Sequence, residues 1–91
     1  MKPLKPVVVI PTYNERDNLE RLARQILSLD PALQLLVVDD NSPDGTGLIA
    51  EQLASETGRV SVLHRAGKLG LGSAYREGFA QALAMGADVI V

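Results

Sequence analysis

The chain has 91 residues, no cysteine and a formal net charge of −2. That length allows one small domain, and the lack of cysteine removes a disulfide framework and a thiolate metal site. The nine Lys and Arg residues are scattered and form no basic stripe of the kind that grips nucleic acid, so no nucleic-acid partner is expected. The opening Met1-Lys2-Pro3-Leu4-Lys5-Pro6 leads into an apolar run too short for a signal segment or a membrane span.

Taken in order, Val7-Val8-Val9-Ile10 is β-branched throughout and bounded by Pro6 and Pro11, which predicts a strand. Pro11 to Arg16 reads as a loop. Asp17 with Glu20 three positions on forms a capping-box pattern, and Leu19, Leu22, Ala23, Ile26 and Leu27 recur at helical spacing, so a helix over 17–29 is expected, ended by Asp30-Pro31. A second strand covers 34–38, and a second helix covers 46–57 with Gly58 at its C-terminal cap. Val60-Ser61-Val62-Leu63 alternates and reads as a third strand nearer an edge. A glycine-rich loop, Arg65 to Gly72, opens a third helix that Gly86 closes, and 88–91 is the last strand. The order β-α-β-α-β-α-β argues for a parallel α/β sheet of Rossmann-like type, with right-handed crossovers. Ala74, Gly78 and Ala82 line one side of the third helix and suit close helix–sheet packing.

The informative stretch is Leu35-Leu36-Val37-Val38-Asp39-Asp40-Asn41-Ser42-Pro43-Asp44-Gly45-Thr46. A continuous apolar run reads as a strand buried on both faces, and in parallel sheets ligands bind outside the carboxyl ends of such strands. Two adjacent carboxylates at that end cannot be buried without partners. Gly45-Thr46-Gly47-Leu48-Ile49-Ala50 matches the letters of the dinucleotide fingerprint. Asp39 to Asp44 separate it from the strand, however, and three carboxylates there would repel a pyrophosphate. Gly67-Lys68-Leu69 lacks the Ser or Thr and the upstream glycine of a P-loop. His64 stands alone and fits a local hydrogen bond; no His or Cys cluster has transition-metal spacing. What remains is Tyr13 and Glu15 after the first strand and Asp39 and Asp40 after the second. Carboxylates accept from ring N–H groups and ribose hydroxyls, and a tyrosine can stack on a base, so these groups suggest a nucleoside-binding crevice.

Three motifs in order, Val8-Val9-Ile10-Pro11-Thr12-Tyr13-Asn14-Glu15, then Val37 to Thr46, then Gly67-Lys68-Leu69-Gly70-Leu71-Gly72-Ser73-Ala74-Tyr75, closely resemble the family 2 glycosyltransferases of GT-A fold. The Ser-Pro-Asp-Gly-Thr and Lys-Leu-Gly-Leu-Gly-Ser-Ala-Tyr segments point to the dolichol- or polyprenol-phosphate mannose synthases. The resemblance implies transfer of mannose from GDP-mannose to a polyprenyl phosphate, with a divalent metal, Mg2+ or Mn2+. By position it implies that Pro11, Tyr13 and Glu15 line the nucleotide pocket, that Val38 touches the base and that Asp40 hydrogen-bonds to the nucleoside. Asp39 would be a supporting residue, and Lys68 would lie near the mouth of the site without an assigned contact.

The Asp-x-Asp metal motif of that family follows its fourth strand, and no Asp-x-Asp occurs in this sequence. The chain is therefore read as the first, nucleotide-binding half of a GT-A domain over 1–91. No catalytic residue and no metal ligand are expected within it, and the chain alone is expected to be inert. The same resemblance places the first strand centrally, between the second and fourth. Val89–Val91 would then be an apolar edge through which copies could pair. A cytoplasmic setting is expected, with the parent protein peripheral on the cytoplasmic face of a membrane. Two alternatives stay open: another family 2 enzyme with a different donor or acceptor, and a non-catalytic folding or assembly unit.

Overall fold

A computed structural model describes residues 4–67 and 69–91. The elements are β1 (Pro6–Thr12), α1 (Arg16–Leu27), β2 (Gln34–Asp39), α2 (Thr46–Thr57), β3 (Val60–His64), α3 (Leu71–Ala84) and β4 (Val89–Ile90). They form one four-stranded sheet of order β3-β2-β1-β4, with every pairing parallel. The expected α/β architecture is present, β1 is central, and β3 lies at an edge.

The period of two along each strand divides the core between two layers. Leu35 and Val37 of β2 join Leu19, Ala23 and Leu27 of α1, Ala50 and Leu53 of α2, and Val60 of β3. Leu36 and Val38 face the other way, with Val7 and Val9 of β1 and Ala74 and Ala82 of α3. Leu35 to Val38 are all essentially without exposed surface, as a continuous apolar run demands. Two helices thus cover one face of the sheet and one covers the other. Among the described residues no helix is long and apolar enough to cross a membrane.

Pro11 extends β1 past the expected end at Ile10. The Val9 N–H and Val7 carbonyl both bond Val91, on the β4 side. Pro11 shares their parity, so its missing N–H faces the side where β4 pairs with Pro6 and Val7 alone, and no ladder bond is lost. The capping box at Asp17 is not formed. Helix α1 begins one residue earlier, with Asp17 inside its first turn and no side-chain cap of its own. The residues leading into α1 are held instead by the next loop, as described below. Helix α1 also ends at Leu27 rather than 29, and α3 begins at Leu71, within the segment expected to be loop. The span 46–57 for α2 is as expected, closed by Gly58 at a positive φ of 66°.

The small-residue side of α3 explains how closely it lies on the sheet. A Cβ at Gly78 would stand 2.5 Å from Val9 Cγ1 and 3.1 Å from Val38 Cγ2. Gly78→Ala therefore forces helix and sheet apart. Overpacking of about 1–3 kcal/mol outweighs the gain of roughly 1 kcal/mol that alanine brings to a helix. A net loss of stability is expected in urea unfolding followed by circular dichroism.

Candidate functional site

Parallel pairing puts the carboxyl ends of β1, β2 and β3 along one edge of the sheet. Thr12 is in register with Asp39, and Asp39 with His64, so the residues that follow them, Tyr13, Asp40 and Arg65, emerge side by side. The backbone continues the ladder for one more step, with Asp40 N–H donating to the Thr12 carbonyl at 3.1 Å and Arg65 N–H to the Asp39 carbonyl at 2.8 Å.

Both carboxylates are buried, and each has its own set of partners. Asp39 accepts from the Thr12 hydroxyl at 2.9 Å, the Ser42 hydroxyl at 2.6 Å and the Ser42 N–H at 3.2 Å. It fastens the end of β1 to the turn after β2. Asp40 receives a two-pronged contact from Arg65, Nε to Oδ1 at 2.6 Å and Nη2 to Oδ2 at 2.9 Å. The side chains of Arg65 and Asp40 are only 3% and 8% exposed. The other face of the guanidinium reaches α3, donating from Nη1 to Ser73 Oγ at 2.8 Å and to Glu77 Oε2. Asp40 first, and Glu77 next, hold the Arg65 guanidinium above its ordinary pKa, so its charge is permanent.

The Ser-Pro-Asp-Gly-Thr segment has a structural task. Three successive N–H groups of the first loop donate to its side chains: Asn14 to Ser42 Oγ at 3.0 Å, Glu15 to Thr46 Oγ1 at 2.9 Å and Arg16 to Asp44 Oδ2 at 3.1 Å. These bonds fix the residues that lead into α1, with the Arg16 N–H the first donor of the helix itself. Asp44 also accepts from the Thr46 N–H at 2.9 Å and from the Thr46 hydroxyl. The Thr46 hydroxyl, followed by the N–H groups of Thr46 and Arg16, holds the Asp44 carboxyl below its ordinary pKa. Asn14 and Asn41 both adopt left-handed backbone, with φ of 57° and 54°. Asparagine tolerates that region better than most residues, and each one turns the chain away just beyond its strand.

A cleft lies between the first loop and the start of α3, lined by Pro11, Thr12, Tyr13, Asp40, Gly70, Leu71 and Ala74. Of the residues expected at a site, it gathers Pro11, Tyr13 and Asp40. Glu15 is exposed and lines a separate cleft with Ile10, Asn18 and Leu22, which Pro11 and Thr12 also border. Val38, expected to touch a base, is not among the residues that line the cleft. It is 0% exposed because it is packed into the layer beneath α3, so it backs the cleft without reaching its surface. Lys68 lies outside the described residues. His64 makes the local contact expected of it, Nε2 to Glu51 Oε1 at 2.7 Å.

Arg65, Ser73, Glu77 and Thr12 were not singled out from the sequence. The one available signal was Arg65, a cation at the end of the strand next to two carboxylates. Among the described residues no group of three His, Cys, Asp or Glu is placed to hold a metal ion. Asp39 is spent on hydroxyl and N–H donors and Asp40 on a guanidinium, so this pair does not fit a divalent cation.

The sheet order supplies the rule for reading the cleft. From β1 the chain winds outward to β2 and β3, then returns past β1 to β4. The loops after β1 and β3 therefore lead to helices on opposite faces, and the cleft opens between them, over the carboxyl ends of β1 and β2, the end of the sheet where open α/β proteins bind ligands. A sequence model of the family described as "Glycosyl transferase family 2" matches residues 7–85. The chain belongs to this family. It is 48% identical over 88 residues to a polyprenol monophosphomannose synthase of Mycolicibacterium smegmatis, covering 96% of this chain and 33% of the relative. It is 46% identical over 88 residues to an undecaprenyl-phosphate mannosyltransferase of Micrococcus luteus, covering 97% of this chain and 36% of the relative. A dolichol-phosphate mannosyltransferase of Pyrococcus furiosus is 46% identical over 84 residues, 87% of this chain and 23% of the relative. The chain thus spans about a third or less of the length of these relatives. Among solved structures, a mannosyltransferase from Pyrobaculum calidifontis in complex with GDP-Man and Mn2+ superposes with a TM-score of 0.78 at 25% identity, over 86% of this chain and 24% of that one.

Two outcomes follow for the loops. Thr46→Val keeps the shape but leaves the Glu15 N–H without its acceptor, and a loss of about 1–3 kcal/mol is expected in urea unfolding. Asp44 has a lower pKa folded than unfolded, so its contribution to stability is present above its unfolded value and disappears as pH falls through the folded one. The stability difference between the native chain and Asp44→Asn should therefore shrink below about pH 4. Chemical denaturation repeated across pH 2.5 to 7 (approximate limits set by the usual aspartate range) reads this directly.

Proposed function

We propose that this chain is the nucleoside-binding part of a mannosyltransferase that takes GDP-mannose as donor and a polyprenyl phosphate as acceptor. The observation that carries this reading is the cleft at the carboxyl ends of β1 and β2, with Asp40 at its base, in a chain whose relatives are mannosyltransferases acting in polyprenol, undecaprenyl-phosphate and dolichol-phosphate chemistry. The donor is taken from the structural neighbour, which is complexed with GDP-Man.

In this reading Tyr13 and Pro11 bound the cleft on the β1 side and offer apolar surface to a base. Asp40, an acceptor-only group when ionised, takes a base N–H or a ribose hydroxyl. Glu15, on the adjoining cleft, faces the part of the ligand that extends past Pro11. Val38 acts through packing, by holding the wall on which Asp40 stands. The whole enzyme uses a divalent cation, consistent with the Mn2+ of the neighbour, and its ligands come from residues other than Asp39 and Asp40. No transfer activity is expected of the 91-residue chain by itself.

Titration of isotopically labelled chain with GDP, followed amide by amide in NMR with UDP as control, tests the reading. Shifts should cluster at Tyr13, Thr12, Asp40 and Leu71 and be larger with GDP. A larger response to UDP would favour a family 2 enzyme with another donor, and a folded spectrum silent to both would overturn the nucleoside reading.

A further inference from the structure

Arg65 is the least expected feature of the site. A long cationic side chain at 3% exposure sits directly behind the cleft, without lining it. Its donors are divided between two groups of partners. Nε and Nη2 engage both oxygens of Asp40, while Nη1 engages Ser73 and Glu77, four residues apart on one face of α3. Nη2 also approaches the Gly70 carbonyl at 3.5 Å, where the glycine-rich loop enters α3. Gly70 and Leu71 form the wall of the cleft opposite Tyr13. One planar guanidinium therefore spans the base of the cleft and its far wall.

We propose that Arg65 is a positioning residue for base recognition, fixing the plane of the Asp40 carboxylate and locking it to the α3 wall of the cleft. This rests on the nucleoside reading above. The fork geometry of arginine matches a carboxylate at two points and removes its freedom to rotate, which a lysine ammonium cannot do. A carboxylate held in one plane, beside a permanent positive charge, stays ionised and presents only acceptors. A base that offers a ring N–H, as guanine and uracil do, is accepted. One that presents an unprotonated ring nitrogen, as adenine and cytosine do, meets acceptor against acceptor and is rejected. Discrimination of this kind depends on leaving wrong ligands with unpaired polar groups. Once the carboxylate can rotate or take up a proton, the penalty for adenine falls. Arg65 thus acts through Asp40 on selectivity between bases and touches no ligand itself.

The test compares GDP with ADP on the 91-residue chain by calorimetric titration, for the native chain, Arg65→Lys and Arg65→Met, with circular dichroism melts as the check on folding. The native chain should favour GDP by at least about tenfold. Arg65→Met should lower GDP affinity by roughly tenfold and bring the two nucleotides close to equal. Arg65→Lys, which keeps the charge and loses the fork, should fall between. A purely structural arginine would weaken both nucleotides by the same factor, and an unchanged GDP-to-ADP ratio in a folded Arg65→Met chain overturns the proposal. If Arg65→Met does not fold, the double variant Ser73→Ala, Glu77→Gln releases the guanidinium from its exposed side. A threefold or greater fall in the ratio (on the order of 0.7 kcal/mol) then supports positioning, and no change refutes it. A native chain that binds neither nucleotide removes the nucleoside reading and this inference with it, an outcome distinct from GDP binding that is indifferent to Arg65.

Discussion

Two carboxylates stand next to each other at the end of an apolar run, Leu35–Val38, that has essentially no exposed surface, and water cannot solvate both. An unpaired buried charge is far more costly than any single packing contact, so the structure around Asp39 and Asp40 is arranged to supply donors. Alternation along the chain sends the two side chains to different surroundings. Asp39 meets hydroxyl and N–H groups on the first-loop side, and Asp40 meets a guanidinium on the α3 side. Among the described residues no buried side-chain nitrogen or oxygen is left without a partner.

The two arrangements do different things. The Asp39 side builds a rigid platform. Ser42, Asp44 and Thr46 occupy the backbone donors of residues 14 to 16, so the loop after β1 is held by the loop after β2 and the two cannot move independently. The Asp40 side joins the platform to the opposite wall through Arg65, Ser73 and Glu77. The cleft between Tyr13 and Leu71 is consequently bounded by segments tied together beneath it, which reduces the ordering that a ligand would otherwise have to impose. Gly78 contributes from below, because only a residue without a side chain lets α3 sit directly on Val9 and Val38.

Family membership, the parallel sheet and the position of the cleft agree with one another on independent grounds. The family match extends over 7–85, and the cleft is found at the carboxyl ends of the parallel strands, the end at which such sheets bind ligands. A fold of this type serves many chemistries. The mannosyltransferase reading therefore rests on the relatives, and the nucleoside reading on the groups that meet at the strand ends.

Much of this was legible in the chain itself. Period-two and period-3.6 patterns depend on which residues avoid water, and that is a local property, so β1 to β3, α1 to α3 and the continuous burial of Leu35–Val38 could be read directly. Tyr13 and Asp40 were identifiable as neighbours because parallel pairing brings strand ends together whatever the details, and Pro11 through the family resemblance. Tertiary structure decided the rest. Asp17 and Glu20 have the letters of a capping box, yet α1 starts before Asp17, because Ser42, Thr46 and Asp44 of a loop distant in sequence hold the N–H groups of residues 14 to 16 and set where the helix begins. Val38 is covered by α3, whose approach depends on a glycine forty residues later in the chain. The pairing of Asp40 with Arg65 rather than with a metal required two strands in register and a helix beyond them. Hydrophobic periodicity is written residue by residue, but the partner of a buried charge is fixed only when the elements that carry it have packed.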